Sequence, residues 1–437
     1  MERMGKCPHR KSSAGQGFKE TKETRDPGEN YMDYLKIDEL LKLHVRLTDG
    51  PIAHDEHLFI SIHQNFEVWF QQILFELESI KRLLKEPKVC EKYQQLIFQR
   101  LVRVNCIFRI MIQQFEVLET MSCINFMSFR EVFQGGASGF QSTQFRLLEQ
   151  ILGIKEKQRT CTFLNSYNEK LTEEQRQEIE DHQDDQDLCT LIDGWLSRTP
   201  GLQHFLISYK NAVEGVINDF YLKAKVLEHI DHAKSGIFES KAKQLEKDCA
   251  SSLTKKNMSE CNKIKFLLLA RNGGRIHGRK LSYRAFMGAL MINCYSSEPR
   301  FTVPYEIIKN LMDMDTFLTK FRFGHAMMVK RMIGGRPGTG GSGGYNYLRS
   351  TVSDRYMPFI DLFEVATYLI APQKLPRLAS DVLVEISKVY RSDSSDKLDS
   401  QLTDSTSVDL NSISADSDST SADSDIKLNS ILIDFNG

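Results

Sequence analysis

Two histidines lie on helical stripes that are otherwise apolar: His63, one turn beyond Phe59 and followed by Phe66, and His325, one turn beyond Phe321 and followed by Met328 and Val329. Spacing of three and four residues puts each imidazole on the face that its helix buries. Taken alone, such an imidazole is either a satisfied core histidine or a ligand. The pair adds weight to the second reading, because one histidine on each of two bundle helices can sandwich a flat cofactor, one coordinating it and the other facing its far side. Arg130, in Phe126-Met127-Ser128-Phe129-Arg130, is a guanidinium among aromatic residues. Buried there it requires an anion, either an internal Glu or Asp or the carboxylate of a bound molecule, which its fork can grip with two bonds. The run from Gly334 to Gly344 could present backbone N–H groups to an anion, but it lacks the Gly-Lys-Ser/Thr ending and follows a helix where a nucleotide loop follows a strand. A flexible linker is the bland reading of it; the Arg336 and Thr339 embedded in it favour a mobile loop that closes over a small ligand.

Other features argue against competing functions. His54 and His57 flank Asp55-Glu56 near a helix start, but no further Cys or His follows to complete a zinc site, so capping or salt bridging is expected of them. Lys255 to Lys265 reads as a solvated face of mixed charge, and Arg271 to Arg284 is basic without interleaved aromatics for stacking bases. With Lys+Arg 57 against Asp+Glu 58, no global field recommends a nucleic acid or an acidic membrane. The nine cysteines contain no C-x-x-C pair and read as reduced thiols of a cytoplasmic protein. Met1 to Phe18 has no apolar leader segment, and the longest apolar run, Ala285 to Ile292, is far too short to span a bilayer.

The elements that must position these side chains are helices. A stripe of Leu58, Phe59, Ile62, Phe66, Trp69, Phe70, Ile73, Leu77 and Ile80 predicts one long amphipathic helix, and Tyr93 to Leu118 predicts a second. Further helices are expected over about Leu188 to Ser197, Gln203 to Ile230, Lys241 to Ala270 and Tyr283 to Cys294. A late helix is expected to open at Pro304 and carry His325, with another over about Asp354 to Ile370. No convincing strand alternation occurs, so the expected fold is an all-α bundle over residues 31–390. Residues 1–30 read as a mobile arm, and the Ser- and Asp-rich residues 391–437 as a disordered tail.

Three segments carry a resemblance: His54-Asp55-Glu56-His57-Leu58-Phe59-Ile60; Ala137-Ser138-Gly139-Phe140-Gln141-Ser142 with Gln144-Phe145-Arg146-Leu147; and Gly338-Thr339-Gly340-Gly341-Ser342 with Tyr347 to Tyr356. In that order and at nearly that spacing they are similar to the tryptophan 2,3-dioxygenase family, from about Tyr31 to about Leu375. The resemblance implies an all-helical homotetramer, a dimer of dimers. Each subunit would bind one haem b and cleave the indole C2–C3 bond of L-tryptophan with O2 to give N-formylkynurenine, the first step of the kynurenine route.

Carried over by position, the resemblance makes His325 the axial ligand of the haem iron and His63 the residue that hydrogen-bonds the indole N–H. Phe59 and Phe126 then line the ring pocket, and Arg130 and Thr339 hold the carboxylate and ammonium end. Tyr31 and Tyr34 match pocket tyrosines, the first lent across a subunit interface. The chain is a divergent member: Phe321-Arg322-Phe323-Gly324 stands where Trp-Arg-Tyr-Asn is usual, Phe133 replaces an aliphatic residue, and Gln134-Gly135-Gly136 carries an extra residue. These departures leave open a haem- or tryptophan-binding paralogue with altered substrate or little turnover, and, on the bland reading of both histidines, a haem-free helical scaffold.

Overall fold

The protein is described from a computed structural model over residues 30–48, 53–131, 138–154, 171–182, 186–227, 232–253, 280–339 and 343–390. The expected arm, the tail, Phe133 and the segment Gln134 to Gly136 lie outside the described residues, as do Lys255 to Lys265. The helices are α1 (Tyr31–Tyr34), α2 (Ile37–Lys42), α3 (Asp55–Lys85), α4 (Glu91–Leu118), α5 (Cys123–Arg130), α6 (Thr143–Leu152), α7 (Glu173–Asp181), α8 (Leu188–Ser197), α9 (Leu202–Leu227), α10 (His232–Leu253), α11 (Tyr283–Cys294), α12 (Pro299–Ile333), α13 (Tyr345–Ser350), α14 (Ile360–Phe363) and α15 (Ser380–Tyr390). No extended strand occurs among the described residues, as the sequence pattern implies. No helix among them is long and apolar enough to cross a membrane.

The centre of the fold is the packing of α12 on α4 and of α4 on α3, with α6 against α3 and α11 against α8. The stripe read on α3 is the buried one: Ile62, Phe66, Phe70, Ile73, Leu77 and Ile80 all enter the core. They meet Ile97, Leu101, Val104, Phe108, Met111 and Phe115 of α4 and Ile307, Ile308, Leu311, Met314, Leu318 and Phe321 of α12. Polar ties cross this seam as well: Asn105 Nδ2 donates to the Asn310 carbonyl at 3.0 Å, and Arg103 Nη1 to Glu76 Oε1 at 2.6 Å. Several helices begin where a side chain takes over an orphan backbone N–H: Ser122 accepts from Asn125, Ser142 from Phe145, Asp187 from Thr190 and Ser282 from Ala285.

Three of the expected helices differ in their bounds. The one expected from about Lys241 opens earlier, at His232. The late helix opens five residues before Pro304, at Pro299 with Glu298 as its cap, and Pro304 lies inside it. The additional turn carries Phe301 into the core, fully buried, and that burial outweighs the single backbone bond Pro304 forfeits. The expected helix over Asp354 to Ile370 is instead a series of short pieces: a 3-10 turn at Asp354–Tyr356, α14, and a 3-10 turn at Glu364–Tyr368. Here side chains and backbone from distant parts of the chain are tied together. Asp315 of α12 accepts the Phe359 N–H at 2.8 Å, and Asp361 accepts the N–H groups of Lys280 and Leu281 at 2.6 and 2.7 Å. Lys280 in turn donates to the carbonyls of Arg355 and Met357.

Burial pushes the Asp315 carboxyl up to about 8, against the lowering pull of the Phe359 N–H and of Lys280 and Arg322. Its second oxygen, Oδ1, is buried without a hydrogen-bond partner among the described residues, as suits a protonated acid. A carboxyl that is protonated in the fold and ionised in the unfolded chain removes stability as pH rises from about 4 to about 8. The parent chain is therefore expected to lose about 2–4 °C or more of Tm across that window. Asp315→Asn, which keeps an acceptor oxygen and cannot titrate, flattens this slope; an unchanged slope in calorimetry refutes the assignment.

Candidate functional site

One cavity of about 310 Å³ opens between α3, α4, α5, α6 and α12 and the loop after α12. Phe59, His63, Phe126, Arg130, His325 and Thr339 all line it, so residues from four separated parts of the chain converge as the sequence reading expects. Its lining is mostly carbon. Phe66, Phe115 and Phe321 form a tilted aromatic stack with centroids 5.2 to 5.7 Å apart, and Phe70 and Phe145 pack behind them.

His63 projects from the middle of α3. Its Nδ1 lies 2.7 Å from the Phe59 carbonyl one turn earlier, so Nδ1 carries the proton and Nε2 is left as an acceptor toward the cavity. The Phe59 ring lies 3.9 Å from the imidazole, centroid to centroid, and 5.9 Å from Phe126. The cavity's open space reaches the His63 ring, yet the dense apolar surroundings hold its pKa down, with only the Phe59 carbonyl acting the other way. Burial, with His63 close enough to add repulsion, keeps His325 at about 4. Both imidazoles are thus neutral at physiological pH. His325 makes no hydrogen bond among the described residues and stacks parallel to Phe115.

At one end of the cavity Ser122 caps α5 and sets Phe126 and Arg130 one turn apart on the same face. Arg130 is not paired with an acid among the described residues. Its Nη2 donates to the Pro337 carbonyl at 2.6 Å, tying α5 to the loop after α12. Two glycines with positive φ, Gly334 and Gly344, start and finish this loop, and a Cβ at Gly344 would lie 3.0 Å from the Arg336 carbonyl. Thr339 lies on the loop between them and reaches the cavity.

A polar group that the sequence reading did not assign lines another wall. Arg146 Nη1 and Arg322 Nη2 each donate to Glu149 at 2.7 Å, all three side chains being nearly inaccessible to solvent. Two guanidinium groups share one carboxylate beside the apolar slot. Arg322 also lies over the rings of Tyr356 and Phe145, and its Nε has no hydrogen-bond partner among the described residues. The available signal was an i,i+3 Arg/Glu pair inside the apolar face of α6.

Tyr31 and Tyr34 are not brought to this cavity; they are 73% and 59% exposed on α1. The segment after α2 is fixed to α3 instead, because Glu56 accepts the N–H groups of Leu47 and Thr48 and the Thr48 hydroxyl. Burial alone would raise the pKa of Glu56; those three bonds, with Arg46, bring it below the usual carboxylate range. His54 occupies the cap position of α3 without a side-chain hydrogen bond to the helix, and His57 stacks on His44; among the described residues neither makes the salt bridge that was the other expectation for this pair.

Comparison with known proteins agrees with this geometry. A family model described as tryptophan 2,3-dioxygenase matches residues 12–369. The chain is 39% identical over 358 residues to tryptophan 2,3-dioxygenase B of Danio rerio and 39% identical over 363 residues to tryptophan 2,3-dioxygenase of Rattus norvegicus. The Mus musculus enzyme of the same name is 38% identical over 363 residues. Each alignment covers 80% of this chain and 84% of the relative. The chain belongs to the tryptophan 2,3-dioxygenase family.

Proposed function

We infer that this chain is a haem-dependent dioxygenase that opens the C2–C3 bond of the indole of L-tryptophan with O2, giving N-formylkynurenine at the head of the kynurenine route. The observation that carries the reading is the convergence of His63, His325, Arg130 and Thr339 on one aromatic cavity. Among the described residues no three His, Cys, Asp or Glu side chains gather as a metal cluster. A metal taken through His325 must therefore bring most of its own ligands, as an iron porphyrin does. His325 fits that task, being neutral, turned to the cavity and without a hydrogen bond among the described residues. The Phe66, Phe115 and Phe321 rings suit a flat apolar group, and the guanidinium groups of Arg146 and Arg322 in the cavity wall suit the carboxylates at its edge. When bound, haem b, one per subunit, supplies the redox chemistry that activates dioxygen, which no side chain here can provide.

What the chain's own residues contribute is position. His63 Nε2 accepts the indole N–H, its tautomer fixed by the Nδ1 bond to Phe59. It acts as a positioner, since an indole N–H is too weakly acidic for a neutral imidazole to remove easily. Phe59 and Phe126 hold the indole ring between them and the rest of the aromatic wall. Arg130 turns its remaining guanidinium donors to the substrate carboxylate, and Thr339 meets the same end of the molecule from the loop. That loop, closing from Gly334 to Gly344, keeps water from the reacting face.

The working form in this reading is a homotetramer, a dimer of dimers. Tyr31, Tyr34, Leu40, Leu41, Leu43 and Val45 are exposed apolar side chains on one short segment, a surface that a neighbouring subunit would cover. Tyr31 then reaches a partner's pocket, and Tyr34 lies close behind it. A cytoplasmic setting agrees with the unpaired thiols of Cys90, Cys106, Cys123, Cys189 and Cys294.

His325→Ala is expected to abolish the stoichiometric Soret band of the haem-loaded chain and all formation of N-formylkynurenine, with far-UV circular dichroism unchanged. Retention of the band refutes the ligand assignment, and a haem-loaded parent that leaves tryptophan unconsumed refutes the reaction. Arg130→Ala is expected to raise the KM for L-tryptophan at least about 10-fold by removing a charged hydrogen bond, and to have far less effect on turnover of an indole lacking the carboxylate. Equal losses for both compounds refute the carboxylate role.

A further inference from the structure

The imidazole of His325 is held by a neighbour that the functional reading has not used as more than wall. Phe115, near the C-terminal end of α4, is 5% exposed, and its ring lies parallel to that of His325, with an interplanar angle of 5° and centroids 6.1 Å apart. The same ring packs at 5.2 Å from Phe321, one turn before His325 on α12, and at 5.4 Å from Phe66 on α3. Three helices therefore fix its place. On α12 the residue next to His325 is Gly324, and a Cβ built there would lie 3.0 Å from Phe115 Cδ2 and 3.3 Å from Cε2. A ring wedged between Phe66 and Phe321 has little room to retreat, so any larger residue at 324 displaces either the ring or the helix that carries His325.

An imidazole bonded through one nitrogen can still turn about that bond. In most metal sites the other N–H is held by an acceptor, which sets the plane of the ring. Here His325 finds no acceptor among the described residues, and the Phe115 ring, parallel to it and offset, is what lies beside it. We propose that Phe115 is the positioning residue for the haem-ligating imidazole of His325, setting its plane by parallel, offset packing, and that Gly324 is the space that admits it. The proposal rests on the reading of His325 as the iron ligand.

The test uses the full-length, haem-loaded ferric protein with cyanide, whose low-spin electron paramagnetic resonance signal reports the orientation of the axial imidazole. Phe115→Met, near phenylalanine in volume, removes the flat face without a large cavity. It is expected to keep its helix content, to broaden or split the single low-spin signal, and to weaken haem retention about 10-fold, the scale of losing an outer partner of a metal ligand. Gly324→Ala is expected to do the same by displacing the ring. In a Phe115→Leu background, where the smaller side chain leaves room, Gly324→Ala is expected to add little. A structural filler would give the parent's signal in Phe115→Met, and independent damage would make the Phe115→Leu and Gly324→Ala effects additive; either result overturns the proposal. An unmodified chain that takes up no haem overturns the functional reading and the proposal with it. A normal Soret band with an unchanged signal in Phe115→Met overturns the proposal alone.

Discussion

Keeping two imidazoles uncharged, face to cavity, inside one helical bundle is the constraint on which the rest of the structure depends. A protonated histidine in such a place would carry a large desolvation cost and could neither coordinate a metal nor accept a hydrogen bond. The fold meets this by surrounding both rings with phenylalanine, and for His63 that burial outweighs the opposite pull of the Phe59 carbonyl, which fixes the tautomer. Each imidazole is thereby in the state its task requires before any ligand arrives. The seam of α3, α4 and α12, with α3 carrying one histidine and α12 the other, holds the two apart at a width fixed by Phe66, Phe115 and Phe321.

Charge is handled differently at the two polar boundaries of the slot. In one wall Glu149 is gripped by two arginines, and all three charges are buried and immobile. At the other, Arg130 sits on the last turn of a short helix, half-buried, with a backbone carbonyl as its partner and further donors to offer. The first arrangement suits an anionic group that stays, the second one that comes and goes.

The long helices were legible because their stripes repeat over many turns, and His63, His325, Phe59 and Phe126 lie on or beside such stripes. Arg130 stood out as a charge among aromatics, and Thr339 as a polar residue in a glycine run. What escaped was whatever depends on distant partners. Arg146 and Glu149 form a local pair, but nothing in the spacing shows that Arg322, 173 positions from Glu149, completes it. Phe115 looked like one more core residue of α4, since a stack on His325 leaves no periodic trace. The short α5, α6 and α7 carry too few turns for periodicity, although Ser122, Ser142 and Thr172 are sound start signals. Pro304 misled because a local rule about helix starts was overridden by the burial of Phe301, and Asp354 to Ile370 because Asp315 claimed the Phe359 N–H and Lys280 the carbonyls of Arg355 and Met357, backbone that a helix would have used for itself.

The bond from Arg130 to the Pro337 carbonyl has an energetic sequel. A guanidinium has five N–H donors, so the one spent on the loop leaves the others for an incoming carboxylate, and the loop stays anchored while the ligand binds. The ligand then meets a side chain whose rotamer is already fixed, and less ordering entropy is lost on binding. At about 1 kcal/mol for such a bond, a loop deprived of this anchor would weaken the grip on the ligand several-fold without touching it.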